Sequence, residues 1–180
     1  MATGTILLDL AGALPTDGTG TGNDPALASI SVSTGTQTTN SPKVTALTWV
    51  FGATTDSHIC VGFRMPQNYG SGGTVYLHAM CTTSQGAAAE VIWKSALAAV
   101  TPDAGESLST KVYGTVATGS AVFINLAAGN VVSASVTPGL DSVAAGDMVT
   151  LFVGRDADHT MDDAIGQCLL TAAALEYTTT

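Results

Sequence analysis

The sequence predicts an all-β protein: a single jelly-roll-like β-sandwich over residues 27–180, preceded by an extended N-terminal arm over residues 1–26. Three observations predict it. Apolar and polar residues alternate at period two in run after run, the pattern of half-buried strands. Gly and Pro clusters break these runs at intervals of about ten residues, as in sandwiches and barrels rather than βαβ units. Helical composition competes only over 87–100, where Ala is frequent, and there Val91, Ile92 and Trp93 decide for strand.

The elements follow in order. Residues 6–10, Ile-Leu-Leu-Asp-Leu, form a short apolar run. The next stretch, with Gly12, Pro15, Gly18, Gly20, Gly22 and Pro25, is dense in turn formers. An apolar tip on such a neck suits docking on a neighbour; the competing reading is a first strand of the same domain followed by a loop. Residues 27–33 alternate Ile30 and Val32 with serines, and 44–51 place Leu47, Trp49 and Phe51 on one face. Residues 57–64 set Ile59, Val61 and Phe63 against His58, Cys60 and Arg64. Residues 74–82 set Val75, Leu77 and Ala79 against Tyr76, His78 and Met80, and 89–97 set Val91, Trp93 and Leu97 against Glu90, Ile92 and Lys94. Shorter runs near 112–117, 121–126 and 131–137 follow, punctuated by Gly129, Pro138-Gly139 and Gly146. Val149, Leu151 and Val153 mark a strand over 147–155. The last, over 167–177, is apolar on both faces and is expected to be covered twice. About eight to ten strands without helices fit a two-sheet jelly roll.

Composition narrows the function. The chain has 180 residues, five Lys+Arg against fourteen Asp+Glu, and a formal net charge of −9. That balance argues against nucleic-acid binding, which relies on basic residues to displace counterions. Only 11% of residues are charged, less than half of the usual ~25%. A surface so poor in charge has little to desolvate against another protein, and points to a subunit of something larger. No run approaches the ~18 apolar residues of a membrane span. The first residues have no basic stretch ahead of an apolar one, so no secretory signal is expected. Cys60, Cys81 and Cys168 lie far apart, an odd count with no CxxC pair, and read as buried free thiols rather than a disulfide framework or zinc site.

Motifs for chemistry are scarce. Gly-x-Ser-x-Gly, His-Glu-x-x-His and the Walker Gly-Lys-Ser/Thr are all missing. Gly18-Thr-Gly20-Thr-Gly22 neither follows a βα start nor opens a helix, so it reads as a neck and not a phosphate loop. His58 and His78 sit mid-strand, and nothing beside them suggests a Cys-His nucleophile pair with an orienting third group. The three glutamates, Glu90, Glu106 and Glu176, are not paired for glycoside hydrolysis. No catalytic residue and no cofactor is expected. The one dense polar cluster is Asp156, Asp158, Asp162 and Asp163, beside Arg155. Four carboxylates could gather on Ca²⁺. An EF-hand loop starting at Asp156 would nonetheless put Met161 where Gly is needed and Gln167 where Glu is needed, which favours a solvated acidic turn.

Trp49-Val-Phe51, Thr54-Thr-Asp56, Phe63-Arg64-Met65-Pro66, Tyr69 and Gly72-Gly73 resemble structural proteins of tailed bacteriophages, as do Gly154-Arg155-Asp156-Ala-Asp158 and Leu175-Glu176-Tyr177. The likeness covers roughly residues 49–177 and carries no catalytic motif. Within that group the chain is most similar to the jelly-roll capsid decoration (cement) protein. This resemblance implies a homotrimer on the outer face of the virion capsid, bound to the major capsid protein and made in the host cytoplasm, with no nucleic-acid or membrane partner. The apolar N-terminal residues Ile6, Leu7, Leu8, Leu10 and Leu14 are then the expected capsid or neighbour contacts. Tyr76, His78 and Met80, with Leu170, Leu175 and Tyr177, are the expected trimer contacts. A receptor- or glycan-binding β-module of a phage tail fibre or spike is the alternative, with Trp49 and Trp93 either stacked on sugars or, more ordinarily for alternating strands, in the core.

Overall fold

The computed structural model of the protein describes residues 2–16, 28–34, 44–86, 89–123 and 127–180. Its strands are β1 (Thr3–Leu7), β2 (Leu14–Thr16), β3 (Ser29–Thr34), β4 (Thr45–Phe51), β5 (Ser57–Arg64), β6 (Tyr69–Cys81), β7 (Ala89–Val100), β8 (Ala117–Phe123), β9 (Val131–Val136), β10 (Met148–Arg155) and β11 (Cys168–Thr179). One sheet runs β3-β4-β11-β6-β9, with β1 added to β11; the other runs β2-β5-β10-β7-β8. All strand pairings are antiparallel. Within them, β4-β11-β6-β9 and β5-β10-β7-β8 are the two four-stranded sheets of a jelly roll.

Alternation builds the core as expected. Trp49, Phe51, Ile59, Val61, Val75, Leu77, Val91, Trp93, Leu97, Leu151 and Leu170 face inward and are buried. Phe51 meets Trp93 edge-to-face at 5.1 Å, so both tryptophans are core residues. At one edge the two sheets close on each other. Gly119 of β8 comes so near the Ser135 carbonyl of β9 that a Cβ would clash with it. The expected strand near 112–117 is irregular backbone up to Ala117, and a one-turn 3-10 helix spans Leu108–Thr110.

The N-terminal residues correct the arm reading. β1 pairs with β11 from Thr3↔Thr178 to Leu7↔Ala174, and β2 pairs with β5. Between them Leu8 and Leu10 insert into the core, and the Leu10 carbonyl accepts a 2.7 Å hydrogen bond from the Trp49 indole N–H. Gly4 has no side chain, which leaves room for the Tyr177 ring. Thus residues 2–16, two strands joined through a 3-10 turn at Leu10–Gly12, belong to the sandwich itself, because their apolar side chains bury more surface there than a free arm could. The expected neck at Gly18–Gly22, and the rest of the arm to residue 26, lie outside the described residues.

The doubly covered strand is also a different one. In β11 a register shift between Leu170 and Ala172 turns Leu170, Ala173 and Leu175 inward, and Ala172 is exposed. It is β7 that is buried nearly throughout. Its inner face carries Val91, Trp93 and Leu97, and small Ala96 and Ala98 lie under outer cover.

Candidate functional site

The two outer faces of the sandwich differ, and the difference defines the candidate surface. On the five-stranded sheet, Phe152 faces outward but is buried. Tyr113 packs over it at 5.6 Å and His58 lies against it at 4.7 Å. Burial pushes the Tyr113 hydroxyl up to about 12. Backbone from the same region docks on β7: Gly114 N–H donates to the Leu97 carbonyl, and Leu97 N–H donates to the Gly139 carbonyl. The middle of this face is therefore covered by the chain itself.

The six-stranded sheet presents an open face over its β1-β11-β6-β9 portion. Register sets the rows: Ala172, His78 and Ser133 in one, then Leu7, Ala174, Tyr76 and Ser135, then Thr5, Glu176 and Thr74. Leu7 is 84% exposed, Ala172, Ser133 and Ser135 are exposed, and Tyr76, His78 and Glu176 are half-buried. The Ser133 hydroxyl and His78 Nδ1 share a 2.8 Å hydrogen bond across the strands. A further row, Val50, Leu169, Met80 and Val131, extends the face with apolar side chains. Beyond Glu176 the face ends in a shallow groove of about 370 Å³ lined by Thr3, Gly72, Gly73, Thr74, Thr137 and Thr178, among others.

Each residue expected from the sequence can now be placed. Tyr76 and His78 lie together on the open face, with Met80 nearly buried at its end. Leu170 and Leu175 point the other way and are 0% exposed, and Tyr177 is buried with its hydroxyl donating to Asn68 Oδ1. These three are core residues and cannot also meet a neighbouring subunit. Leu8 and Leu10 are core for the same reason, Ile6 packs against the core, and Leu7 and Leu14 are exposed. The cysteines are free thiols: Cys81 and Cys168 are buried side by side, and Cys60 is half-buried.

The acidic loop is occupied by its own structure. Asp162 accepts two hydrogen bonds from Arg155, at 3.0 and 2.7 Å, and one from Ile92 N–H at 3.0 Å. Asp163 accepts from Glu90 N–H at 2.6 Å. Beyond the end of β10, these two carboxylates act as the next strand's acceptors for β7. The described residues do hold one cluster of ligand geometry, Asp56, Asp156 and Asp158. Lys94 sits in it, at 2.8 Å from Asp56 and 2.7 Å from Asp156, and an ammonium so placed supplies the counter-charge that a cation would. Burial works against the Lys94 charge, but the two carboxylates outweigh it and hold the ammonium above its ordinary range. The sequence pointed to the aspartates of the 156–163 loop and missed Asp56, from the β4–β5 turn, and Lys94, from β7.

No family model and no curated protein matches the chain. Among solved structures it is similar to a family 11 carbohydrate-binding module from Clostridium thermocellum in complex with a β-1,3-1,4-mixed-linked tetrasaccharide. The identity is 14%, the TM-score 0.42, and the match covers 97% of this chain and 96% of that one. It is also similar to a family 43 arabinoxylan arabinofuranohydrolase from Bacillus subtilis in complex with cellotetraose. There the identity is 12%, the TM-score 0.36, and the match covers 93% of this chain but 27% of the hydrolase. At such identities and scores the likeness does not extend to a binding site. The chain is an all-β, jelly-roll-type sandwich.

Proposed function

We propose that this protein is a non-catalytic virion structural module, a capsid decoration protein that docks through the open face of its six-stranded sheet. One observation carries the reading: among the described residues, one outer sheet face is covered by the chain's own loop, and the other is left open with hydroxyls, small apolar groups, Tyr76 and His78, and Glu176 as the one carboxylate in its rows. Such a face desolvates cheaply against protein. Four strands at about 4.8 Å spacing and about seven residues at about 3.3 Å rise enclose roughly 450 Å², near half of the ~800 Å² per partner of a standard interface. A single contact of that size is weak, and repetition over a shell of major capsid protein supplies the avidity. A trimer would need a heterologous, ring-closing contact between unlike surfaces, for which exposed Leu14 and Met148 on the opposite sheet are available partners to this face.

The test is copy number per virion, by quantitative gel densitometry against the major capsid protein. Decoration predicts hundreds of copies, and Ala172→Asp on the open face should lower occupancy without changing the fold. A handful of copies would overturn it. A second reading, a glycan-binding module of a tail fibre or spike, is favoured by one detail: Tyr76 stands in the same row as Ser135 and beside Glu176, an aromatic plate among hydrogen-bonding groups. It predicts few copies per virion and glycan binding lost in Tyr76→Ala.

A further inference from the structure

We propose that Cys81 and Cys168 are the site of an intramolecular disulfide that staples β6 to β11. They are direct cross-strand partners, the last residue of β6 and the first of β11. Their sulfurs lie 3.2 Å apart in the core, 3% and 0% exposed. The neighbouring pair, Thr82 and Gln167, is joined by a 2.9 Å backbone hydrogen bond, and the Thr82 hydroxyl accepts from Gln167 N–H. That alternation makes 81/168 a non-hydrogen-bonded pair, the closer of the two antiparallel spacings at about 4.5 Å between Cα atoms. This spacing falls inside the ~4.4–6.8 Å that disulfides span, so the bond needs the sulfurs to close by about 1 Å and no strand to move.

The surroundings favour the chemistry. The sulfur–sulfur hydrogen bond holds the Cys81 thiol below its ordinary range against the effect of burial, with the buried Arg155 charge adding to the shift. The same hydrogen bond and burial push Cys168 up. The two sulfurs share one hydrogen bond, so either can attack first; with Cys81 attacking, Cys168 is the resolving sulfur. With a small-molecule disulfide RSSR as oxidant, the Cys81 thiolate attacks one sulfur, forming Cys81–S–S–R and expelling RS⁻. The Cys168 thiolate, its proton lost to water, then attacks the Cys81 sulfur and expels the second RS⁻. Two thiols are oxidised, one disulfide is reduced to two RSH, and the exchange balances. Both cysteines sit at strand ends, which open locally before the strand centres, so the oxidant has a route to them. Cys60 belongs to the other sheet and stays reduced.

The whole chain is unfolded in urea and refolded in a buffer of reduced and oxidised glutathione, so burial cannot block the exchange. The expected product has one free thiol in place of three, a mass lower by about 2 Da, and a non-reducing peptide map linking the Cys81 and Cys168 peptides. Relative to the same protein kept reduced, Tm should rise by about 4–16 °C, because the bond closes a long loop in the unfolded chain. Cys60→Ser should keep both the link and the rise, and Cys168→Ser should lose them. Three free thiols in a natively refolded protein, or a link through Cys60, would overturn the proposal; the Cys60→Ser protein decides the matter even if Cys168→Ser fails to fold.

Discussion

Arg155 at the end of β10 and Asp162, seven residues on in the loop that follows, form a two-pronged ion pair whose side chains are both 0% exposed. The remaining guanidinium N–H groups donate to the carbonyls of Gly52 and Gly166, at 2.8 and 2.9 Å, and of Ala164 at 3.1 Å. All five arginine donors are thereby used. The pair ties the 156–166 loop to the β4–β5 turn and holds the Asp162 carboxylate against Ile92. Removing one partner leaves a buried charge without its counter-ion. Arg155→Met is expected to cost about 3–5 kcal/mol in urea denaturation, and Arg155→Met with Asp162→Leu to recover part of that loss. Equal losses in the single and double variants would show that the pair is not the source of the effect.

Lys94 decides whether the acidic cluster can hold a metal. With the ammonium between Asp56 and Asp156, millimolar Ca²⁺ should leave Tm unchanged. Lys94→Gln removes the counter-charge from three carboxylates whose ligand atoms lie within 4.8 Å of one another. That variant is expected to be less stable in chelator and to regain stability on adding Ca²⁺, by linkage of binding to folding. A Ca²⁺-dependent Tm in the unmodified protein would mean that the ion displaces the lysine.

The legible part of this fold was the part set by alternation. Each period-two run from Val44 to Val100 became a strand with the expected face inward, because one face of every such strand must be buried somewhere. The illegible part was the choice between covers. Residues 6–10 read as a docking tip because their apolar side chains needed a partner, and nothing local says that the partner is Trp49 of the same chain. The double apolarity of 167–177 misled for a similar reason. The register shift after Leu170 re-aims its side chains, and a bulge has no signature in that run of alanines. Of the candidate surface, Tyr76 and His78 were legible from one strand. Leu7, Ser133 and Ser135 join them only through long-range pairing.

The cover over the five-stranded sheet sets an alkaline limit. Tyr113 ionises near pH 12 in the folded protein, against about 10 in the unfolded chain, because burial against Phe152 disfavours the phenolate. Between those values the native state retains a proton that the unfolded state has released, so stability falls as pH rises. At about 1.4 kcal/mol per pH unit the full shift would be an upper bound; solvent still reaches the half-buried hydroxyl and screens it, so the loss is about 1 kcal/mol by pH 12. Tyr113→Phe should flatten that part of the stability-versus-pH curve, measured by urea denaturation from pH 9 to 12. An unchanged slope would place the loss at another group.

The N-terminal strand makes the sharpest distinction between an arm and a core element. Deleting residues 2–16 removes buried Leu8 and Leu10, each worth about 1.5–3 kcal/mol of apolar burial. It also strips β1 from β11 and leaves the Trp49 indole N–H without the Leu10 carbonyl, a further cost of about 1–3 kcal/mol. The sum reaches the ~5–15 kcal/mol that a whole domain has to spare. The truncated protein is therefore expected to unfold at room temperature or to lose most of its stability, seen as a collapsed Tm by circular dichroism. The single change Leu10→Ala should cost about 2–5 kcal/mol, and Leu7→Ala, on the exposed side of the same segment, under 1 kcal/mol. A truncation that keeps its Tm while losing only attachment to a partner protein would return these residues to the role of an arm.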